Sequence, residues 1–205
     1  MVYAEGGSAA LRPRDLGDWI RCLQLSPARK NFRPVQTRSS PLTVEEDGDH
    51  LAMDLPLILA KPCAAPTDLL AGLNLAPRLV LESGETAAGR NYFAVYDNEE
   101  EVRDVKADLP RLEKLHPARV CITALGRESD FVSRYFAPSC GIPEDPVTGS
   151  THCTLAPYWS ERLGKKVLHA RQVSQRGGDL IVEPRGERVI LKGKAVLYFK
   201  GEISV

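Results

Sequence analysis

The residues best placed to do chemistry stand together in Asp145-Pro-Val-Thr-Gly149-Ser150-Thr151, directly before an apolar run. Gly149 lets the backbone turn closely, and Ser150 or Thr151 can cap the start of a helix. The N–H groups of a first helical turn have no carbonyl one turn back, so they form an anion pocket suited to a carboxylate or a phosphate. Asp145, just upstream, is placed to give or take a proton beside that anion. An ordinary capped helix with a solvated aspartate accounts for the same residues, because capping signals open most helices.

Other candidates are weaker. Arg176-Gly177-Gly178 reads as a hairpin turn, or as close backbone approach to a ligand with Arg176 supplying charge. His152, in the first turn of the same helix, is a structural histidine or a proton relay. Cys153 is a small buried hydrophobe or a thiol acidified by the helix start. Gly84-Glu-Thr-Ala-Ala-Gly89-Arg90-Asn91 has the glycine spacing of a phosphate loop but ends in Arg-Asn. Without Lys-Ser or Lys-Thr there is no magnesium ligand, and a strand rather than a helix is expected to follow, so it reads as a hairpin turn. No Gly-x-Ser-x-Gly elbow supports a serine hydrolase.

Composition narrows the classes. The 205 residues carry 27 basic and 27 acidic side chains, a balance that favours neither nucleic acid nor an anionic membrane surface. The apolar stretch around Leu55 to Ala60 is too short to span a bilayer, and the first thirty residues show no signal peptide. Five cysteines, odd in number, widely spaced and without a Cys-x-x-Cys pair, argue against zinc and against a disulfide framework. Reduced thiols in a cytoplasmic protein with no metal are the expectation.

These residues need elements to hold them. Asp15 to Leu23 has the pattern of a short amphipathic helix within a divergent segment, residues 1–31. Val35 to Thr37, Leu42 to Glu46 and His50 to Leu55 read as a strand meander, and Pro56 to Pro66 as a linker. Thr67 caps a helix to Leu73, and Arg78 to Glu82 pairs with Tyr92 to Tyr96. Glu99 to Leu115 reads as a helix that Pro110 should break. Arg119 to Leu125 and Phe131 to Phe136 are strands. Leu155, Trp159 and Leu163 mark one face of a helix from Thr151 to Leu163, closed by Gly164. Strands follow around Val167 to Ala170, Asp179 to Val182, Val189 to Leu191 and Ala195 to Phe199, with Pro184-Arg185-Gly186 as a turn. The pattern predicts an α+β fold in which a sheet curls around a helix.

The run from Asp130 to Cys153, with Phe136-Ala-Pro-Ser-Cys-Gly-Ile-Pro-Glu-Asp-Pro-Val-Thr-Gly-Ser-Thr-His at its centre, closely resembles the signature of the phenazine biosynthesis-like (PhzF-like) family. So do Leu155-Ala-Pro-Tyr-Trp-Ser-Glu-Arg-Leu-Gly164, Gln175-Arg-Gly-Gly178, Thr37-Arg-Ser-Ser-Pro-Leu-Thr-Val44 and Met53-Asp-Leu-Pro56. The resemblance implies a diaminopimelate epimerase-like fold of two lobes, each a curved sheet around a central helix, with the site between them. It implies a cofactor-free isomerase or epimerase, often homodimeric and biosynthetic, that moves a proton on a small carboxylate-bearing substrate. By the same resemblance Asp145 is the acid/base group. Gly149, Ser150 and Thr151 hold the substrate carboxylate, Ser150 also serving catalysis, and Arg176, Gly177 and Gly178 line the cleft.

The chain departs from that pattern upstream. The family's Asn-Leu-Ser-Glu-Thr type motif, whose Glu is the main base, has no counterpart here, nor has its Cys-Gly-His-Ala-Thr type motif. The expectation is an incomplete first lobe: a remnant at residues 32–60, a second lobe at 61–193, and a C-terminal strand at 194–205 returning to the first. Such a chain turns over poorly, and its missing strands leave an edge that favours a homodimer. The alternative is a non-catalytic protein that keeps the anion pocket for binding or interaction.

Overall fold

In the computed structural model, which describes residues 35–37, 40–85 and 89–195, twelve strands form one sheet. The first three are β1 (Val35–Thr37), β2 (Ser40–Asp47) and β3 (His50–Pro56), an antiparallel meander as expected. Next come β4 (Lys61–Pro62), α1 (Thr67–Gly72), β5 (Leu79–Glu82), β6 (Asn91–Val95), α2 (Glu99–Asp104) and α3 (Leu109–Glu113). Then follow β7 (Arg119–Leu125), β8 (Phe131–Ala137), β9 (Ile142–Asp145) and α4 (Gly149–Leu163). The described chain closes with β10 (Leu168–Gln172), β11 (Gly178–Arg185) and β12 (Arg188–Gly193).

Along the sheet the order is β1-β2-β3-β12-β11-β10-β8-β7-β6-β5-β4, with β9 attached to β8. Most neighbours are antiparallel; β10 with β8 and β6 with β7 are parallel. Val44 and Met53, towards one end of the sheet, share a core with Leu81 and Phe93, towards the other, and with Leu155 and Trp159 of α4. A single sheet reaches one helix from both ends only by curling around it.

The outer face of β5 to β8 is covered too. Leu69, Val102 and Leu112 of the three short helices pack on Val80, Ala94 and Ile122. Strand β7 is therefore buried on both faces, which explains its unbroken run of small and β-branched residues. A polar bridge crosses this core: Trp159 Nε1 donates to Thr123 Oγ1 at 3.0 Å, and that hydroxyl donates to the Val132 carbonyl at 2.7 Å. The Trp159 ring stacks on Phe131 at 5.9 Å between centroids.

Several expected boundaries move. The Pro56 to Pro66 segment is not all linker, since β4 pairs with β5. Thr67 does not cap α1; Pro66 holds that position without a side-chain bond. The stretch from Glu99 to Leu115 is two helices, each with its own cap: Asn98 accepts from Glu101 N at 3.0 Å and Asp108 from Arg111 N at 3.2 Å. Pro110 thus sits in the first turn of α3, where its missing N–H costs nothing. Pro184 and Arg185 belong to β11, and the turn falls on Gly186-Glu187, with Gly186 at φ +59°. The helix expected at Asp15 to Leu23 lies outside the described residues, as does the strand at Ala195 to Phe199 except Ala195.

Candidate active site

The head of α4 is built from three neighbouring pieces. On β8, Arg134 forms a two-bond fork with Glu144 of β9, at 2.8 and 3.1 Å, and donates to the Val102 and Val105 carbonyls at the end of α2. This fixes β9 one residue short of Asp145. In register, Asp145 stands opposite Tyr135, so the two side chains share the inner, α4-facing side of the sheet. The chain then turns through Pro146, Val147 and Thr148 into α4.

Asp145 is buried, and its Oδ2 accepts a 2.6 Å hydrogen bond from the Thr148 hydroxyl. Thr148 is the residue before the helix, yet its side chain does not cap it. The predicted cap at Ser150 or Thr151 is therefore corrected: α4 starts two residues earlier than expected, and the hydroxyl nearest its end is committed to Asp145. The N–H groups of Gly149, Ser150 and Thr151 keep the orientation that makes a helix start attractive to anions. No acidic side chain lies in this first turn, and Gly149 and Ser150 are half-buried rather than sealed off.

Behind the turn stands Gln172, fully buried on β10. Its Oε1 accepts from Thr148 N at 2.8 Å, and its Nε2 donates to the Asp145 carbonyl at 2.6 Å and to Thr148 Oγ1 at 3.3 Å. Further along, Ser174 Oγ donates to the Pro146 carbonyl at 2.8 Å and accepts from Gly177 N at 3.0 Å. Gly177 has φ +70°, a conformation that side chains disfavour. Gly178 lies so close to Val147 that a Cβ would come within 2.4 Å of its methyl. These glycines thus serve close packing of two turns.

Thr151 and His152 face inward. The Thr151 hydroxyl donates to the Thr148 carbonyl at 2.9 Å, and His152 Nδ1 lies 2.7 Å from the same oxygen. That oxygen only accepts, so Nδ1 carries the proton. Burial lowers the His152 pKa to about 4, the Thr148 carbonyl opposing only in part. The ring is thus neutral near pH 7 and structural. Cys153 is no activated thiol, since burial pushes its pKa up to about 12.

The structure brings Asp145, Gly149, Ser150, Thr151, Gly177 and Gly178 into one neighbourhood. Arg176 lies at its margin, exposed to solvent. Thr148, Gln172 and Ser174 were not singled out in the sequence. For Gln172 the signal was the phase of β10, where Leu168 and Ala170 are buried and the next residue in step is Gln172. After Gly84 and Gly89 the chain enters β6, a strand, as expected for a hairpin rather than a phosphate loop. Among the described residues no set of three His, Cys, Asp or Glu is placed to hold a metal ion, and no helix is long and apolar enough to cross a membrane.

A family model described as phenazine biosynthesis-like protein (PhzC-PhzF) matches residues 42–201. The chain belongs to the phenazine biosynthesis-like family. Among relatives in this family, one uncharacterised isomerase of Pseudomonas aeruginosa is 43% identical over 187 residues, covering 91% of this chain and 70% of the relative. A second from the same organism is 41% identical over 169 residues, covering 82% and 63%. A crystal structure of a PhzF family protein from Enterococcus faecalis superposes with a TM-score of 0.79 at 34% identity, covering 92% of this chain and 70% of that one. The phenazine biosynthesis-like match includes every strand from β3 to β12 and the whole head of α4. The α+β architecture, mostly sheet with few helices, is the diaminopimelate epimerase-like fold of that family.

Proposed function

We propose that this chain is a cofactor-independent isomerase or epimerase of the PhzF-like type, moving a proton on a small carboxylate-bearing substrate. One observation carries the reading: the hydroxyl next to the head of α4 points to Asp145 instead of capping the helix, so an acid/base group stands beside the N–H groups of the first turn. The substrate carboxylate binds at Gly149, Ser150 and Thr151, where N–H groups and the helix dipole stabilise the charge that develops as a neighbouring carbon loses its proton. Asp145 gives or takes that proton, and Ser150, half-buried at the mouth of the turn, contacts the reacting molecule. Gly177, Gly178 and the exposed Arg176 form the rim. Thr151 contributes its N–H alone, because its hydroxyl is turned to Thr148. Relatives named as isomerases support the class of reaction.

Proton transfer on carbon takes a base on one face and an acid on the other, each contributing on the order of 10²–10⁴-fold. The second group, a glutamate of the Asn-Leu-Ser-Glu-Thr type motif, has no counterpart among the 205 residues. We therefore assign residues 61–193 as the lobe with the site; β2 and β3, expected in the other lobe, continue the sheet beside β12 and share its core. The chain on its own exchanges protons slowly, as a homodimer in the cytoplasm. That missing motif also favours the second reading, a protein that binds small carboxylates without turnover.

The test is solvent exchange. The purified 205-residue chain is incubated in D₂O with a panel of small 2-hydroxy and 2-amino carboxylates, and deuterium at the carbon beside the carboxylate is followed by NMR. Slow incorporation that Asp145→Asn abolishes is the expected result. Incorporation equally fast in Asp145→Asn contradicts the assignment, and binding without incorporation selects the second reading.

A further inference from the structure

We infer that Gln172 is the positioning residue of this site: one buried amide sets both the direction of the Asp145 carboxylate and the orientation of the helix start. The inference rests on the reading of Asp145 as the proton-transfer group. Its basis is the way the amide is used. Thr148 N–H can only donate and the Asp145 carbonyl can only accept, so the two fix which end of the amide is oxygen and which is nitrogen. One nitrogen proton goes to the Asp145 carbonyl and the other is directed at Thr148 Oγ1. With its oxygen accepting from Gln172, the Thr148 hydroxyl has its own proton left for Asp145 Oδ2, which lies 2.6 Å away.

Gln172 thus braces both ends of the four-residue turn from Asp145 to Thr148. It holds the first residue by its carbonyl and the last by its N–H. It also fixes a donor chain, amide to hydroxyl to carboxylate, that keeps the hydroxyl away from the helix N–H groups. Leucine at 172 would fill similar space but leave a buried N–H and a buried carbonyl without this partner. Glutamate would keep an acceptor for Thr148 N–H, lose the donor, and place a carboxylate beside Asp145.

The experiment follows the Asp145 carboxyl itself, by ¹³C NMR on aspartate-labelled chain with the resonance assigned from Asp145→Asn. Its midpoint is compared in wild type, Gln172→Leu, Gln172→Glu and Thr123→Val. Groups near Asp145 include Tyr135 across the strand pair, which burial keeps neutral, the Arg119 guanidinium bonded to Tyr135, and His152, held on the Thr148 carbonyl, whose ring is followed in the same samples to separate its step near pH 4. Glu144, the neighbour on β9, stays paired with Arg134.

Losing the amide that orients the Thr148 hydroxyl towards the carboxylate raises the Asp145 midpoint by on the order of one pH unit in Gln172→Leu, and the added carboxylate raises it at least as far in Gln172→Glu. Thr123→Val breaks an equally buried hydroxyl bridge elsewhere in the core, so it lowers the melting temperature and leaves the midpoint in place. A midpoint unmoved in either folded Gln172 variant, or moved as far by Thr123→Val, overturns the inference. Where neither Gln172 variant folds, the wild-type chain decides: both side-chain N–H protons of Gln172 exchange slowly and lie near the Thr148 hydroxyl, and fast exchange overturns it. Turnover enters nowhere, so a chain that isomerises nothing can pass and one that does can fail.

Discussion

Gln172 and Arg171 are neighbours on β10 and point to opposite faces of the sheet, and the two polar regions they belong to are built in opposite ways. On the inner face, Gln172, Thr148 and Asp145 are buried, and their hydrogen bonds to one another tie the turn to the sheet. On the outer face, Arg171 lines a surface cleft of about 250 Å³ with Glu99, Arg103, Arg127, Glu128 and Ser129. There exposed arginines do most of the pairing: Arg103 with the buried Glu99 at 2.6 Å, Arg171 with Glu128 at 3.5 Å, and Arg127 with Glu100. Burial raises the Glu99 pKa, but bonds from the Arg127 N–H and the Arg103 side chain outweigh it and leave the carboxyl below its usual range. The outer cleft is lined by paired charges; the inner turn has the buried, organised polar groups. Chemistry needs the second, because a preorganised donor acts only where its direction is fixed.

The contrast can be broken at its strongest point first. His152 is neutral and fully buried in the folded chain, with a pKa near 4 against 6.5 when unfolded. As pH falls from 6.5 towards 4 the unfolded chain binds the proton first, so the stability this group confers is complete above about 6.5 and is lost on the way down. The loss is on the order of 3 kcal/mol. Denaturant unfolding of wild type and His152→Asn over that range measures it, and the variant should show a shallower slope. Next, Gly178→Ala pushes a Cβ against Val147 and should cost about 1–3 kcal/mol in thermal or denaturant unfolding. It should also slow deuterium incorporation, since Val147 sits inside the turn that ends in Thr148. Smallest is Arg171→Ala in the outer cleft, where exposed pairs contribute little: stability should change by about 0.5 kcal/mol or less, and incorporation not at all.

How much of this was legible in the sequence differs between the same two layers. The meander, the strand β7 and the helix carrying Leu155 and Trp159 follow from residue preference, periodicity and turn residues, which act over a few positions. Asp145 and the helix start were legible for the same reason. The cap was misplaced because Thr148 spends its hydroxyl on Asp145 rather than on the helix. Gln172 acts on residues 24 and 27 positions away, through a register that local pattern does not encode. Its place on the buried side of β10 was readable from Leu168 and Ala170; its partners were not. The two helices between Glu99 and Glu113 show the intermediate case: the proline was recognised as an interruption, while the Asp108 cap that makes it a beginning was not.

The central claim is that the head of α4, and not the outer cleft, receives a small carboxylate. Two-dimensional amide NMR of the labelled chain, titrated with lactate, tests it directly. The account predicts saturable shifts at Gly149, Ser150 and Thr151, weakened in Asp145→Asn or Gln172→Leu, with the Arg127 to Ser129 amides unmoved. Shifts confined to Arg127, Glu128 and Ser129, or none at the helix start at any lactate concentration, would contradict it.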